Sequence, residues 1–203
     1  QIVGINSQAN IASVYAPSTL EVDQADLAQP QSILFPSSNN QQVHAFYYPP
    51  TSAKYRGQDN ALPPVIAMCH GGPTGAASSS LNLKIQYWTN RGFAVVDINY
   101  RGSVGFGRTY RQALVGAWGI ADVEDTQSAI GYLAEQQKID PERCLIRGGS
   151  ACGYTVLSAL TFTDTFKAGA SLYGIGDLET LATDTHKFES RYLDSLIGPY
   201  PER

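Results

Sequence analysis

A chain of 203 residues, 43% hydrophobic and 16% charged, holds one sizeable core with room for a small appended segment, and this composition excludes the disordered and fibrous classes. A formal net charge of −4 offers no basic footprint for nucleic acid. The strongest apolar runs, Val65 to Met68 and Phe93 to Val96, are far shorter than the ~20 residues of a membrane-crossing helix, so a soluble protein is expected.

In chain order, Ile2, Val3 and Ile5, then Ile11 to Tyr15, read as two short strands joined around Asn6 to Asn10. Two strands alone bury too little to be stable, so the segment reads as the remnant of a larger β structure. The polar stretch Asp23 to Gln31 reads as a linker. From Ser32 onward apolar runs alternate with helical patterns, which predicts a mostly parallel sheet covered by helices on both faces. Gln42 to Tyr48 alternates like an outer antiparallel strand. Pro64 to His70, Phe93 to Asn99, Arg143 to Gly148 and Ala168 to Tyr173 read as central strands buried on both faces. Val123, Ile130, Leu133 and Ala134 recur at helical spacing, with Asp122, Glu124 and Asp125 suited to the positive end of that helix. Asp177 to Leu196 is also helical in pattern, with Asp177 as its cap.

The three cysteines, Cys69, Cys144 and Cys152, are odd in number, lack metal-ligand spacing and sit in apolar stretches. They are expected to be buried free thiols, which suits a reducing compartment such as the cytoplasm. Gln1 in place of Met, with Met68 the one methionine, implies that the natural start lies upstream.

The segment richest in chemistry is Arg147 to Tyr154, RGGSACGY, between a buried strand and an apolar helical stretch. That context suits a nucleophile elbow, in which a serine hydroxyl projects from a strained strand-to-helix turn and small neighbours let backbones approach. Ser150 is then the nucleophile. Two other readings of the segment are open: Ser150 as a plain helix N-cap, and Cys152 as the nucleophile. The usual G-x-S-x-G pattern has glycine where Cys152 stands; glycine follows at 153. His70-Gly71-Gly72-Pro73, directly after a strand, sits where such hydrolases place the rest of the oxyanion hole. Acyl transfer puts charge on a carbonyl oxygen, and Gly72 and Ala151 are the candidate N–H donors. His70 is read as orienting the loop. Tyr173, Ile175, Leu178 and Leu181 follow a strand that ends near Ser150 and are candidates for a substrate pocket, with helix packing as their alternative role.

HGGPTG (70–75), NYRGSVGFGR (99–108), WGIADVED (118–125), GGSACGY (148–154) and DTHKFESRYLDSLIGPYP (184–201) together resemble the catalytic domain of the prolyl oligopeptidase family, in its acylaminoacyl peptidase and dipeptidyl aminopeptidase-like branch. The resemblance implies an α/β-hydrolase fold over 31–203 and, for 1–30, the end of a preceding β-propeller with its linker. It implies a serine peptidase that cleaves peptide or acyl-peptide bonds through an acyl-enzyme on Ser150, with Gly72 and Ala151 at the oxyanion positions. The family's acid and histidine follow later strands, so both are expected to be absent here, along with the C-terminal strands, and the chain alone is expected to be inactive. His44, His70 and His186 are not read as substitutes. Other readings are a carboxylesterase or lipase of the same fold and a non-catalytic fragment or interaction module. No cofactor or metal is implied, the partner is a peptide substrate, and oligomeric state is not read.

Overall fold

The computed structural model describes residues 2–15, 21–183 and 191–199. β1 (Ile2–Ile5) and β2 (Ile11–Tyr15) pair antiparallel in a sheet of their own. The Asn6 side chain closes their turn by accepting from the Gln8 and Asn10 N–H groups, each at 3.0 Å, an Asx-type substitute for backbone pairing. The stretch read as a linker is partly docked. Asp23 caps a 3-10 turn at Gln24–Asp26. The buried Gln86 side chain then accepts from the Ala28 N–H at 2.8 Å and donates to its carbonyl at 3.0 Å.

The main sheet contains β3 (Gln31–Pro36), β4 (Gln42–Tyr48), β5 (Val65–Cys69), β6 (Ala94–Asn99), β7 (Cys144–Gly149) and β8 (Ala168–Leu172). Their spatial order is β3-β4-β6-β5-β7-β8. β3, β4 and β6 pair antiparallel, while β5 pairs parallel with β6 and β7, and β7 with β8. The helices are α1 (Leu83–Thr89), α2 (Arg108–Gln112), α3 (Ala121–Glu135), α4 (Ala151–Phe162), α5 (Leu178–Thr183) and α6 (Tyr192–Leu196). None of the described helices is long and apolar enough to cross a membrane.

Strand alternation divides the core in two. Val65, Ala67 and Cys69, with Ala94, Val96 and Ile98, face α3 and α4. Ile66 and Val95 face α1, with Met68 and Leu145 packed alongside. β5 and β6 are therefore buried on both faces, as their unbroken apolar runs predict. β8 departs from that expectation. Its residues 168–171 are exposed, because it is the edge of the sheet: α4 packs against one face and no further described strand pairs with it. The helical pattern at 177–196 resolves into α5 and α6, with residues 184–190, and so His186, outside the described residues. The cysteines also depart from expectation: Cys69 and Cys152 form a disulfide and only Cys144 is a free, buried thiol. Tertiary folding brings together two residues 83 positions apart. The expectation of three free thiols therefore does not hold, and the support it lent to a reducing compartment goes with it.

One charged cluster is built into the core. The Arg101 guanidinium bonds both oxygens of the fully buried Asp125 at 2.9 and 3.1 Å, and reaches Glu124 at 2.8 Å. Asp125 also accepts from the Arg101 N–H at 2.7 Å and the Ser37 hydroxyl at 2.6 Å. This fastens the loop after β6 to α3 and the turn after β3. Asp125→Ala leaves the guanidinium desolvated with Glu124 as its remaining anion. The expected cost is about 3 kcal/mol, at the low end of the range for breaking a buried pair. It should appear as a lower urea midpoint with an unchanged denaturant slope.

Candidate active site

β7 ends at Gly149 and α4 begins at Ala151, so the chain must reverse direction at Ser150. That residue adopts φ 56° and ψ −126°, a conformation that side-chain-bearing residues keep only when the surroundings enforce it, at about 1–3 kcal/mol. The surroundings here are backbone contacts. The Ser150 N–H donates to the Leu172 carbonyl at 3.1 Å, and the Ser150 carbonyl accepts from Gly153 at 2.8 Å and Tyr154 at 3.3 Å. Two glycines make the turn sterically feasible. A Cβ on Gly153 would lie 2.4 Å from the Gly174 Cα, and one on Gly148 would lie 2.1 Å from the Cys152 Sγ. The side chain at 152, where glycine is usual, is thus accommodated by the absence of one at 148.

Ser150 occupies the N-cap position of α4, but its side chain makes no capping hydrogen bond and is exposed. The plain N-cap reading therefore does not hold. Cys152 is fully buried and disulfide-bonded, which removes it as a nucleophile.

The loop after β5 lies directly against this turn. A Cβ on Gly71 would lie 3.5 Å from the Ser150 Cβ and 3.9 Å from its Oγ. The loop is positioned from the β6 side. The buried Tyr100 hydroxyl donates to the Pro73 carbonyl at 2.6 Å, and its ring stacks on His70 with centroids 4.5 Å apart. His70 bridges the Gly71 carbonyl (2.9 Å) and the Ser103 Oγ (2.7 Å) through its two ring nitrogens, and the Val104 N–H donates to Gly75 at 2.9 Å. Burial lowers the pKa of His70, partly opposed by its bond to Gly71, and raises that of Tyr100 well above the usual phenol value. Tyr100 accordingly remains a donor. Gly72 is exposed with φ 128°. Among the described residues its N–H has no acceptor. Ala151 opens α4, where the helix itself supplies no acceptor for the N–H.

A cavity of about 60 Å³ is lined by Gly72, Pro73, Ser150, Ala151, Ile175 and Leu181, together with Trp118, Tyr192 and Leu193. It gathers five of the sequence-predicted residues. Two others fall elsewhere: Tyr173 is 83% exposed, its ring over Gly149, and Leu178 packs on the core. Sequence reasoning did not place Tyr192 or Leu193 here, because α6 reaches the site only by docking. The Leu196 and Ser195 carbonyls accept from Trp118 and Gly116, and the Tyr192 Oη lies 2.9 Å from the Thr74 Oγ1. Asp177 accepts from the Glu179 and Thr180 N–H groups at 2.8 and 3.1 Å, the capping role expected of it. Behind the cavity, the fully buried Asp122 accepts from the Gly119 N–H at 2.6 Å and the Thr155 hydroxyl at 2.5 Å, joining the Trp118 loop to α4. Desolvation raises its pKa to about 6.

On the α1 side of the sheet a wider cavity, about 660 Å³, is lined by Cys69, His70, Asp97, Arg147, Gly148 and Tyr173, among others. Asp97 and Arg147 flank Met68 in one row across β6, β5 and β7. Desolvation pushes the Asp97 carboxyl up to about 7.

Residues 79–203, more than half of the chain, match the model of the prolyl oligopeptidase family. A dipeptidyl aminopeptidase BIII from Pseudoxanthomonas mexicana is 31% identical over 163 residues, covering 79% of this chain and 24% of that protein. A puromycin-hydrolyzing peptidase from Mycobacterium tuberculosis superposes with a TM-score of 0.95 at 42% identity, covering 98% of this chain and 31% of that one. An acylaminoacyl peptidase solved with Z-Gly-Gly-Phe-chloromethyl ketone gives a TM-score of 0.76 at 28% identity over 87% of this chain and 28% of that one. The chain thus spans about a quarter to a third of the length of these relatives, and its sheet is that of the α/β-hydrolase fold they share.

Asp97 generates a pH prediction. It titrates near 3.8 when unfolded and at about 7 when folded, so between those values the native state holds more protons than the unfolded one. Its contribution to stability is therefore fullest below about pH 4 and falls as pH rises to about 7. Asp97→Asn should melt at a higher temperature than the wild type at pH 8 and at the same temperature at pH 4.

Proposed function

The chain belongs to the prolyl oligopeptidase family, and on that premise we propose that it carries the nucleophile and oxyanion hole of a serine peptidase acting on peptide or acyl-peptide bonds. The observation that carries this reading is the exposed Ser150 in a strained strand-to-helix turn, against the glycine loop at Gly71. In the proposed reaction the Ser150 Oγ attacks the substrate carbonyl carbon while a histidine outside residues 1–203 takes its proton, with an acid beyond the same limit orienting that histidine. The Gly72 and Ala151 N–H groups stabilise the tetrahedral oxyanion, the amine leaves with the proton, and water hydrolyses the acyl-enzyme.

Ile175 and Leu181, with Trp118, Tyr192 and Leu193, form the pocket for the side chain before the scissile bond, an apolar wall beside Ser150. Tyr173, exposed on the other side of Gly149, is assigned to contact the substrate at the mouth of the wider cavity, and Leu178 to support Leu181 from the core. Residues 1–30 are the end of a β-propeller and its linker, and 31–203 are the first part of the catalytic domain. Without its histidine and acid, the chain alone is inactive.

In the full-length protein, Ser150→Ala should lower kcat/KM on aminoacyl or acyl-peptide anilides by at least about 10⁴-fold and abolish labelling by a fluorophosphonate. Turnover of nitrophenyl esters with none of the anilides would favour an esterase. A wild type that neither turns over substrate nor takes the label would favour a non-catalytic module.

A further inference from the structure

β5 and β7 lie side by side, but their paired register ends at Met68 and Arg147. Beyond that point each strand leads into half of the proposed oxyanion hole, Gly72 three residues after Cys69 and Ala151 immediately before Cys152. On the β6 side the loop 70–75 is held by the hydrogen bonds from Tyr100 and Val104 and by the His70–Ser103 pair. On the elbow side Gly71 lies against Gly149 and Ser150. The link there is covalent: Cys69 closes β5, Cys152 is the second residue of α4, and their disulfide brings the Cα atoms to 5.7 Å. The bond fills the space that a side chain at Gly148 would need.

We propose that the Cys69–Cys152 disulfide is a positioning element that fixes the spacing between the Gly72 and Ala151 amides, so that reducing it lowers turnover without weakening substrate binding. This inference rests on the hydrolase reading above. Two N–H groups stabilise a developing oxyanion only while both are held at hydrogen-bond distance from one point, and displacements on the order of 1 Å are costly in rate. The ground-state carbonyl depends on them less, so the effect falls on kcat. The bond is buried, with Cys152 fully covered and Cys69 9% exposed, so a dithiol reductant reaches it through local opening of the chain. Its thiolate bonds to the Cys69 sulfur, the S–S bond breaks, and the Cys152 sulfur leaves as a thiolate and takes up a proton. The second thiol of the reductant then displaces the Cys69 sulfur. Two electrons and two protons pass to the protein, and the reductant becomes a cyclic disulfide.

The test uses the full-length enzyme with dithiothreitol, counting free thiols by alkylation and mass, and measuring kcat, KM and the affinity of a peptidyl boronate that mimics the tetrahedral adduct. As two new thiols appear, kcat and boronate affinity should fall together by about tenfold or more, KM should stay within about twofold, and oxidised dithiothreitol should restore activity. The double variant Cys69→Ala with Cys152→Ala, its folding checked by its melting curve, should show the lowered kcat and no response to reductant. Unchanged kcat after both thiols have formed, or wild-type kcat in the double variant, overturns the positioning role and leaves the hydrolase reading intact. Equal loss in KM and kcat assigns the bond to general stability and also overturns it. An oxidised wild type with no turnover and no fluorophosphonate labelling overturns the hydrolase reading itself, and the positioning role with it.

Discussion

Parallel pairing of β5 with β7 is the constraint on which the rest of this structure depends. The pairing joins segments far apart in the chain, Val65 with Cys144 through Met68 with Arg147. Because the strands run parallel, both carboxyl ends open at the same edge of the sheet, where α/β proteins build their sites. The glycine loop that follows one strand and the serine turn that follows the other therefore meet, although the local sequence of neither specifies the other as its neighbour. An antiparallel arrangement of the same two segments would send them to opposite edges.

What surrounds that meeting point is a set of supports of different kinds. Tyr100, buried and held protonated, braces the Pro73 carbonyl from β6. Arg101 follows it in sequence and turns the other way, into the carboxylate of Asp125, so one short segment fastens both the site loop and α3. Asp122 and Thr155 couple the Trp118 loop to the helix that carries Ser150. These groups touch no reacting atom in the proposed mechanism. They hold the strained φ of Ser150 and the exposed N–H of Gly72 in place, conformations that a loosely packed chain would relax.

Much of this was legible in the residues. The apolar runs marked β5, β6 and β7 to within a residue or two, because strands covered on both faces need side chains that are apolar in both directions. Ser150 and the loop 70–73 could be singled out because a nucleophile elbow and an oxyanion loop each impose small residues at fixed positions beside a strand. The disulfide was not legible, since an odd cysteine count in apolar stretches reads as free thiols and pairing depends on distance in space. The exposure of β8 was not legible either, because Ala168 to Leu172 carry the composition of a central strand whatever neighbours they have. Tyr192 and Leu193 entered the site through the docking of α6 on Trp118 and Gly116, a contact that no periodicity encodes.

The sequence by itself determined the alternation of strands and helices, the family, and which serine stands in a strand-to-helix turn, because each of these is written in local spacing and residue type. Tertiary structure alone decided which cysteines join, which of Tyr173, Ile175, Leu178 and Leu181 line the small cavity, and which strand is left at the edge. Those outcomes depend on distances between residues remote in the chain, and such distances exist only once the sheet has assembled.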